Sequence, residues 1–188
     1  MSPEPYAGRG RFRAAAESAA GGAGVGVWSA LVSGVALAVA GLVGLALAQP
    51  WVFPSLGPTL MVMAETPRQP AGRPRNVAVG HVVGVAAGYL ALLVTGLADD
   101  PPVIEQGLTG PRVVAAVLSL TLTAFVLQAL RSSHPPAGAT TLIVSLGLLR
   151  TPQQLLVILL AVLLVTAVAV LLNLAARIRQ EGVGGRPG

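Results

Sequence analysis

Only two side chains in this 188-residue chain ionise near neutral pH in their ordinary state, the imidazoles of His81 and His134. Each belongs to a short run of small and hydroxyl-bearing residues. His134 opens His134-Pro135-Pro136-Ala137-Gly138-Ala139-Thr140-Thr141, and His81 closes Pro74-Arg75-Asn76-Val77-Ala78-Val79-Gly80-His81. Such pairs of histidines either carry or gate a proton, or make structural hydrogen bonds.

A third run, Pro54-Ser55-Leu56-Gly57-Pro58-Thr59, matches Pro135 to Thr140 in the pattern Pro-x-x-Gly-x-Thr, and each continues to a Thr-Pro pair, Thr66-Pro67 and Thr151-Pro152. Proline suits the first turn of a helix, where its missing N–H would be unpaired and its φ is already set. Pro58 and Pro136 are therefore expected to start short helices, with Pro54 and Pro135 preventing backward extension. The amides of the first turn would point into the crossing with the positive end of the helix dipole. Gly57 and Gly138 would let a ligand or a neighbouring backbone approach, while Ser55, Thr59, Thr140 and Thr141 add hydroxyls and Ala139 keeps the surface small. Donors without a fixed positive charge suit a small anion or polar solute that must bind and leave. The same small residues also serve tight helix packing.

The positioning elements are set by hydropathy. Hydrophobic residues make up 54% of the chain and charged residues 10%, with a mean hydropathy of +0.76, the composition of a membrane protein. Four runs lack Asp, Glu, Lys and Arg over about 20 residues, enough to cross hydrocarbon as helices: Trp28–Ala48, Val77–Ala98, Val113–Leu130 and Leu155–Leu174. Two shorter apolar stretches, Trp51–Ala64 and Ala137–Leu149, lie between them and are opened by prolines. A helix over Ala137–Leu149 covers only about 20 Å, so a second, extended segment must complete any crossing. Irregular backbone at membrane depth is tolerated where protein buries it or where it lines a cavity, which makes a broken crossing a pointer to a binding site.

Arginine decides between four and six crossings. The basic balance of +5 rests on twelve arginines and no lysine. With four crossings and a cytoplasmic N-terminus, seven arginines, Arg112 among them, fall inside and five outside; with six, Arg68, Arg73, Arg75 and Arg131 return to the cytoplasm, Arg112 moves out, and only Arg112 and Arg150 are outside. Cytoplasmic loops favour Lys and Arg, so the expected fold is an all-α integral membrane protein of six crossings. "Long, broken, long" then occurs twice with opposite orientation, as two inverted three-crossing repeats whose middle crossing is short and broken. The alternative is four transmembrane helices with two re-entrant or loop segments. Residues 1–27 are expected to form a flexible cytoplasmic tail, 28–174 the transmembrane domain and 175–188 a cytoplasmic tail.

Several function classes are excluded by what the chain lacks. It contains no cysteine, hence no disulfide or thiolate metal site, and its carboxylates are scattered outside the apolar segments. No nucleophile–base pair or phosphate-binding glycine loop is present, so neither an enzyme nor a cofactor is expected. The isoelectric point of about 11.3 reflects topology rather than nucleic-acid binding. Arg75 and Asn76 would hold an anion at the cytoplasmic mouth or fix a helix end, while Gln128 and Asn173 are expected to hydrogen-bond between helices.

Together, His134 to Leu149, Pro74 to His81 and the first short segment resemble the HPP family of small integral membrane proteins. The likeness runs from about Trp28 to Leu174, with Ser55-Leu-Gly-Pro-Thr59 departing from a smaller Gly-Ala-Ser-Ala-like stretch. The family is usually described with four transmembrane helices, and some members are associated with nitrite transport. The resemblance implies a transporter or channel for a small inorganic anion, nitrite first. The competing class is a membrane-embedded structural or sensory partner without transport. The partners expected are the bilayer, the anion and a possible second copy of the chain. The expected location is the plasma membrane of a prokaryote, with both termini cytoplasmic.

Overall fold

The structure, a computed structural model, describes residues 7–176, with side chains from residue 21 onward. Among the described residues it is all-helical. In order run α1 (Ala7–Leu47), α2 (Leu56–Glu65), a 3-10 turn at Pro70–Gly72, α3 (Pro74–Val94), the single turn α4 (Val103–Gln106), α5 (Gly110–Ala129), α6 (Ala137–Ser145) and α7 (Pro152–Ala175). Among the described residues, four stretches are long and apolar enough to cross a membrane: Gly21–Leu47 within α1, then α3, α5 and α7. They match the four runs read from hydropathy. Helix α1 begins at Ala7, so residues 7–27, expected as flexible tail, are helical; residues 1–6 and 177–188 lie outside the described set.

Local chemistry explains the boundaries. Proline stands in the first turn of α3, α5 and α7, where no donor is lost. Helix α7 adds a capping box, Thr151 accepting from the Gln154 amide while the Gln154 side chain accepts from the Thr151 amide. Helix α6 is short because both its ends are stopped. Pro136 caps its start, and Gly147, at φ +78°, reverses the chain after Ser145: the Gly147 amide donates to Val144 O and the Leu148 amide to Ile143 O. The long helices α1 and α5, each followed by a short one, end by the same 6→1 bond pattern without glycine. Ala48 and Arg131 hold the left-handed position, both at φ 49°, and among the described residues no other non-glycine has positive φ.

Helix α2 begins at Leu56 rather than at Pro58, which sits in its first turn; the preceding turn over Pro54 and Ser55 already carries the Leu56 amide, bonded to Phe53 O. Between Leu47 and Leu56 the chain folds back along α1. A Cβ on Gly44 would lie 2.8 Å from Gln49 O and 3.2 Å from Trp51 Cβ, so this close return requires glycine. At its far end, α2 is level with the start of the apolar part of α1, where Ser29 Oγ donates to Glu65 Oε1 (2.9 Å). Ser29 to Leu47 spans about 27 Å of helix, and the chain retraces that length with the non-helical residues 48–55 followed by α2. The end of α7 joins the same level: Asn173 accepts from Trp28 Nε1 (3.0 Å) and donates to Met63 O (3.3 Å), tying three helices together as expected for that residue.

The second half repeats the arrangement. Arg112, in the first turn of α5, is level with the end of α6, and residues 130–136 lead back so that α6 runs antiparallel to α5. Helices α1, α2 and α7 pack together, as do α5, α6 and α3, and α3 meets α7 at the centre. Buried Val32, Ala36, Leu60, Leu92, Ile158 and Val165 belong to the shared core, whereas Leu42, Leu45, Phe125 and Leu171 face outward, as residues against lipid tails do.

Candidate functional site

The two short helices bring their motifs to one imidazole. His81, on α3, accepts or donates at both ring nitrogens: Nε2 lies 3.0 Å from Thr59 Oγ1 of α2, and Nδ1 lies 2.7 Å from Thr140 Oγ1 of α6. Thr59 and Thr140 occupy the same position of the two Pro-x-x-Gly-x-Thr motifs. His134 completes the cluster. Its Nε2 lies 3.2 Å from the same Thr59 Oγ1 and its Nδ1 2.7 Å from Ala71 O, beside the 3-10 turn. The two rings stand 5.1 Å apart, tilted by 57°. Thr59, His81 and Thr140 are 0% exposed and His134 1%, so both histidines are enclosed by protein.

Close backbone approach permits this meeting. Gly80, Gly84 and Gly88 form a stripe along α3, three residues between each pair, which lets α6 lie directly against the helix backbone. A Cβ at Gly80 would lie 3.0 Å from His134 Cβ, at Gly84 2.8 Å from Ala137 O, and at Gly88 2.7 Å from Val144 Cβ. On its other side α6 is held to α5: Thr141 Oγ1 donates to Ala137 O (3.1 Å) and sits 2.9 Å from Thr123 Oγ1. A cavity of about 230 Å³ reaches His134 from the α5 side, lined by Thr123, Gln128, Ser133, Pro135 and Gly138 among others.

A family model for the HPP transmembrane region matches residues 20–181. The chain belongs to the HPP family. A transmembrane protein of Dictyostelium discoideum is 28% identical over 96 residues, half of this chain and 29% of that protein. The chain thus spans under a third of that relative. No solved structure matches the chain.

Against this HPP framework the remaining residues fall into place. Pro135 is exposed along the cavity, Pro136 is buried as the cap of α6, and Gly138 approaches Leu120, whose Cδ1 would lie 3.2 Å from an added Cβ. The first amides of α6 are not free donors, as the sequence pattern suggested: those of Ala137, Gly138 and Ala139 donate to the carbonyls of His134, Pro135 and Pro136. The tight His-Pro-Pro turn uses them before helix bonding begins. On the α2 side Gly57 has open space about it, while Ser55 is fully buried with its hydroxyl unpartnered. Asn76 donates to Pro70 O (2.8 Å), which fixes the 3-10 turn that presents Ala71, whereas Arg75 is exposed and outside the cluster.

Two features escaped sequence reasoning. The glycine stripe was legible as Gly-x-x-x-Gly-x-x-x-Gly, of which only Gly80 was singled out. Arg112, expected in an outer loop, is 1% exposed and donates to Ser145 O (3.4 Å) and Pro101 O (2.9 Å). Its charge meets the negative end of α6, a contact no local pattern announces. Nearby, Arg150 donates to the carbonyls of Asp99 and Asp100, tying the loop before α4 to the start of α7.

Proposed function

We propose that this HPP-family protein moves a small inorganic anion across the membrane, nitrite being the first candidate, without transforming it. The observation that carries the reading is the convergence of the two broken segments on His81, with matching threonines on opposite ring nitrogens. Broken segments meeting inside a helical bundle are where transporters of inverted-repeat architecture bind their substrates. The unpartnered, buried Ser55 hydroxyl adds a donor at the start of α2, and the cavity beside His134 offers a way in.

The reading includes six crossings in two inverted repeats, with both termini cytoplasmic. Support comes from the return of α2 to the level of Ser29, from the antiparallel run of α6 along α5, and from the matching Ala48 and Arg131 ends of α1 and α5. The 66–73 segment and His134 meet through Ala71, while Arg112 and Arg150 gather with the 99–101 loop at the other end. That separation is the one the arginine count favours.

In proteoliposomes, the protein is expected to pass nitrite above the rate of empty vesicles, compared with nitrate, formate and chloride. Failure of all four to move would sink the transport reading. Topology has a separate check, since the chain lacks cysteine. A single cysteine at Ala71 is expected to react only from the cytoplasmic side, and one at Gln153 only from outside. Labelling of both from outside would leave four crossings.

A further inference from the structure

Thr59 has one hydroxyl proton and three close partners: Ser55 O at 2.8 Å, His81 Nε2 at 3.0 Å and His134 Nε2 at 3.2 Å. A hydroxyl donates once and accepts twice. Ser55 O can only accept. If Thr59 donates there, both Nε2 atoms must bring a proton to Thr59. His81 does so while neutral, because its Nδ1 is then free to accept from the Thr140 hydroxyl. His134 does not, because its Nδ1 faces Ala71 O, which also only accepts, and must itself carry a proton. All the contacts are therefore made together only when His134 holds protons on both nitrogens, as an imidazolium.

The neutral site is also accommodated, at the loss of one contact. Removing the Nε2 proton of His134 leaves a lone pair aimed at Thr59, and rotation of the Thr59 hydroxyl from Ser55 O to that nitrogen satisfies it. Ser55 O keeps a partner in the Thr59 amide at 3.4 Å. A second proton, on His81, would place two like charges on rings 5.1 Å apart and leave the Thr140 hydroxyl proton without its acceptor. Among the described residues, the groups bonded to the rings or lining the cavity beside them supply no counter-charge for it: Thr59 from α2, Thr123 and Gln128 from α5, Thr140 from α6 and the Ala71 carbonyl are all neutral, and no carboxylate bonds either ring. Of the charged groups nearest in the chain, Arg73, Arg75 and Arg131 are exposed and Arg68 is half-buried in the segment that carries Ala71.

We propose that His134, Thr59 and His81 form a one-proton site, charged on His134 and switched by rotation of the Thr59 hydroxyl, whose proton crosses with the transported anion. The second clause rests on the transport reading; the first does not. His134 borders the cavity on the α5 side and exchanges its proton there. One proton moving with one monovalent anion makes the cycle electroneutral.

Two histidines in the whole chain make the site countable. In protein labelled with nitrogen-15 at histidine, titration in a bilayer is expected to add one proton in total. His134 should change from Nδ1–H alone to protonation at both nitrogens, while His81 stays Nε2–H throughout. Two protons added, none added, or protonation of His81 would overturn the site. Thr59→Val is expected to shift both Nε2 resonances and leave the Nδ1–H of His134 in place, and Thr59→Ser to restore the wild-type pattern. Unchanged Nε2 resonances in Thr59→Val would remove the shared hydroxyl. In proteoliposomes with an internal pH dye, each nitrite is expected to bring one proton, at a rate unaffected by an imposed potential. Nitrite flux without protons would overturn the coupling alone, whereas absence of any anion flux would overturn the transport reading, and the labelled histidines would still report on the proton site.

Discussion

Gly88→Val is expected to leave little folded protein. A Cβ at Gly88 would stand 2.7 Å from Val144 Cβ and 2.8 Å from Thr141 O, and valine adds two methyls beyond it. Neither neighbour can turn aside, since one is a backbone carbonyl and the other a branched side chain on a helix whose two ends are fixed. Overpacking a well-filled core costs about 1–3 kcal/mol, and a clash with backbone at the centre of the α3–α6 contact belongs at or above the top of that range. The measurement is the monodisperse fraction after detergent extraction, with its thermal midpoint. Gly34→Val, on α1 where an added Cβ meets nothing within 4 Å, serves as the control and should behave as wild type. Equal behaviour of the two variants would mean that α6 does not lie on the glycine stripe.

Thr140→Val is expected to abolish most flux in a protein that still inserts and folds. Valine keeps the shape of threonine but removes the hydroxyl 2.7 Å from His81 Nδ1, leaving that buried nitrogen without its partner. An unsatisfied buried acceptor costs about 2 kcal/mol, roughly a thirtyfold change in any equilibrium that depends on it. His81 can then recover a partner only by changing tautomer or turning its ring, and either change disturbs Thr59 on its other side. Thr59→Val is therefore expected to act through the same ring, so the double variant should lose much less than the sum of the two single losses. Initial nitrite uptake by the four proteins in a double-mutant cycle measures this. Additive losses would mean that the two short helices act independently.

Much of this architecture was legible because bilayer solvation acts on each segment separately. A run of about 20 uncharged residues reports a span without knowledge of its neighbours, and all four such runs are helices here. The breaks were legible for an equally local reason, since Pro136 limits where α6 can begin and the residues after Ser145 stop it. The start of α2 was misjudged where the local signal is weak: Pro58 was read as a start when Pro54 and Ser55 had already turned the chain. The motifs marked His81, His134, Thr59 and Thr140 as polar residues worth explaining inside apolar sequence.

What the sequence by itself determined, then, is which four runs form helices long and apolar enough to cross a membrane, where the two short stretches break, and which few polar side chains lie in them. Only the tertiary structure decided how those side chains meet. Thr59 and His134 are 75 residues apart, and Thr140 and His81 are 59 apart, so nothing in their local spacing specifies a hydrogen bond. Their meeting depends on α6 lying against the bare backbone of α3 at Gly80, Gly84 and Gly88, and on Asn76 holding the turn that sets Ala71 opposite His134. The same packing buries Arg112 against the end of α6 instead of leaving it in solvent. Hydropathy assigns each segment its surroundings one at a time, whereas the direction of each hydrogen bond around Thr59 follows from three segments being present at once.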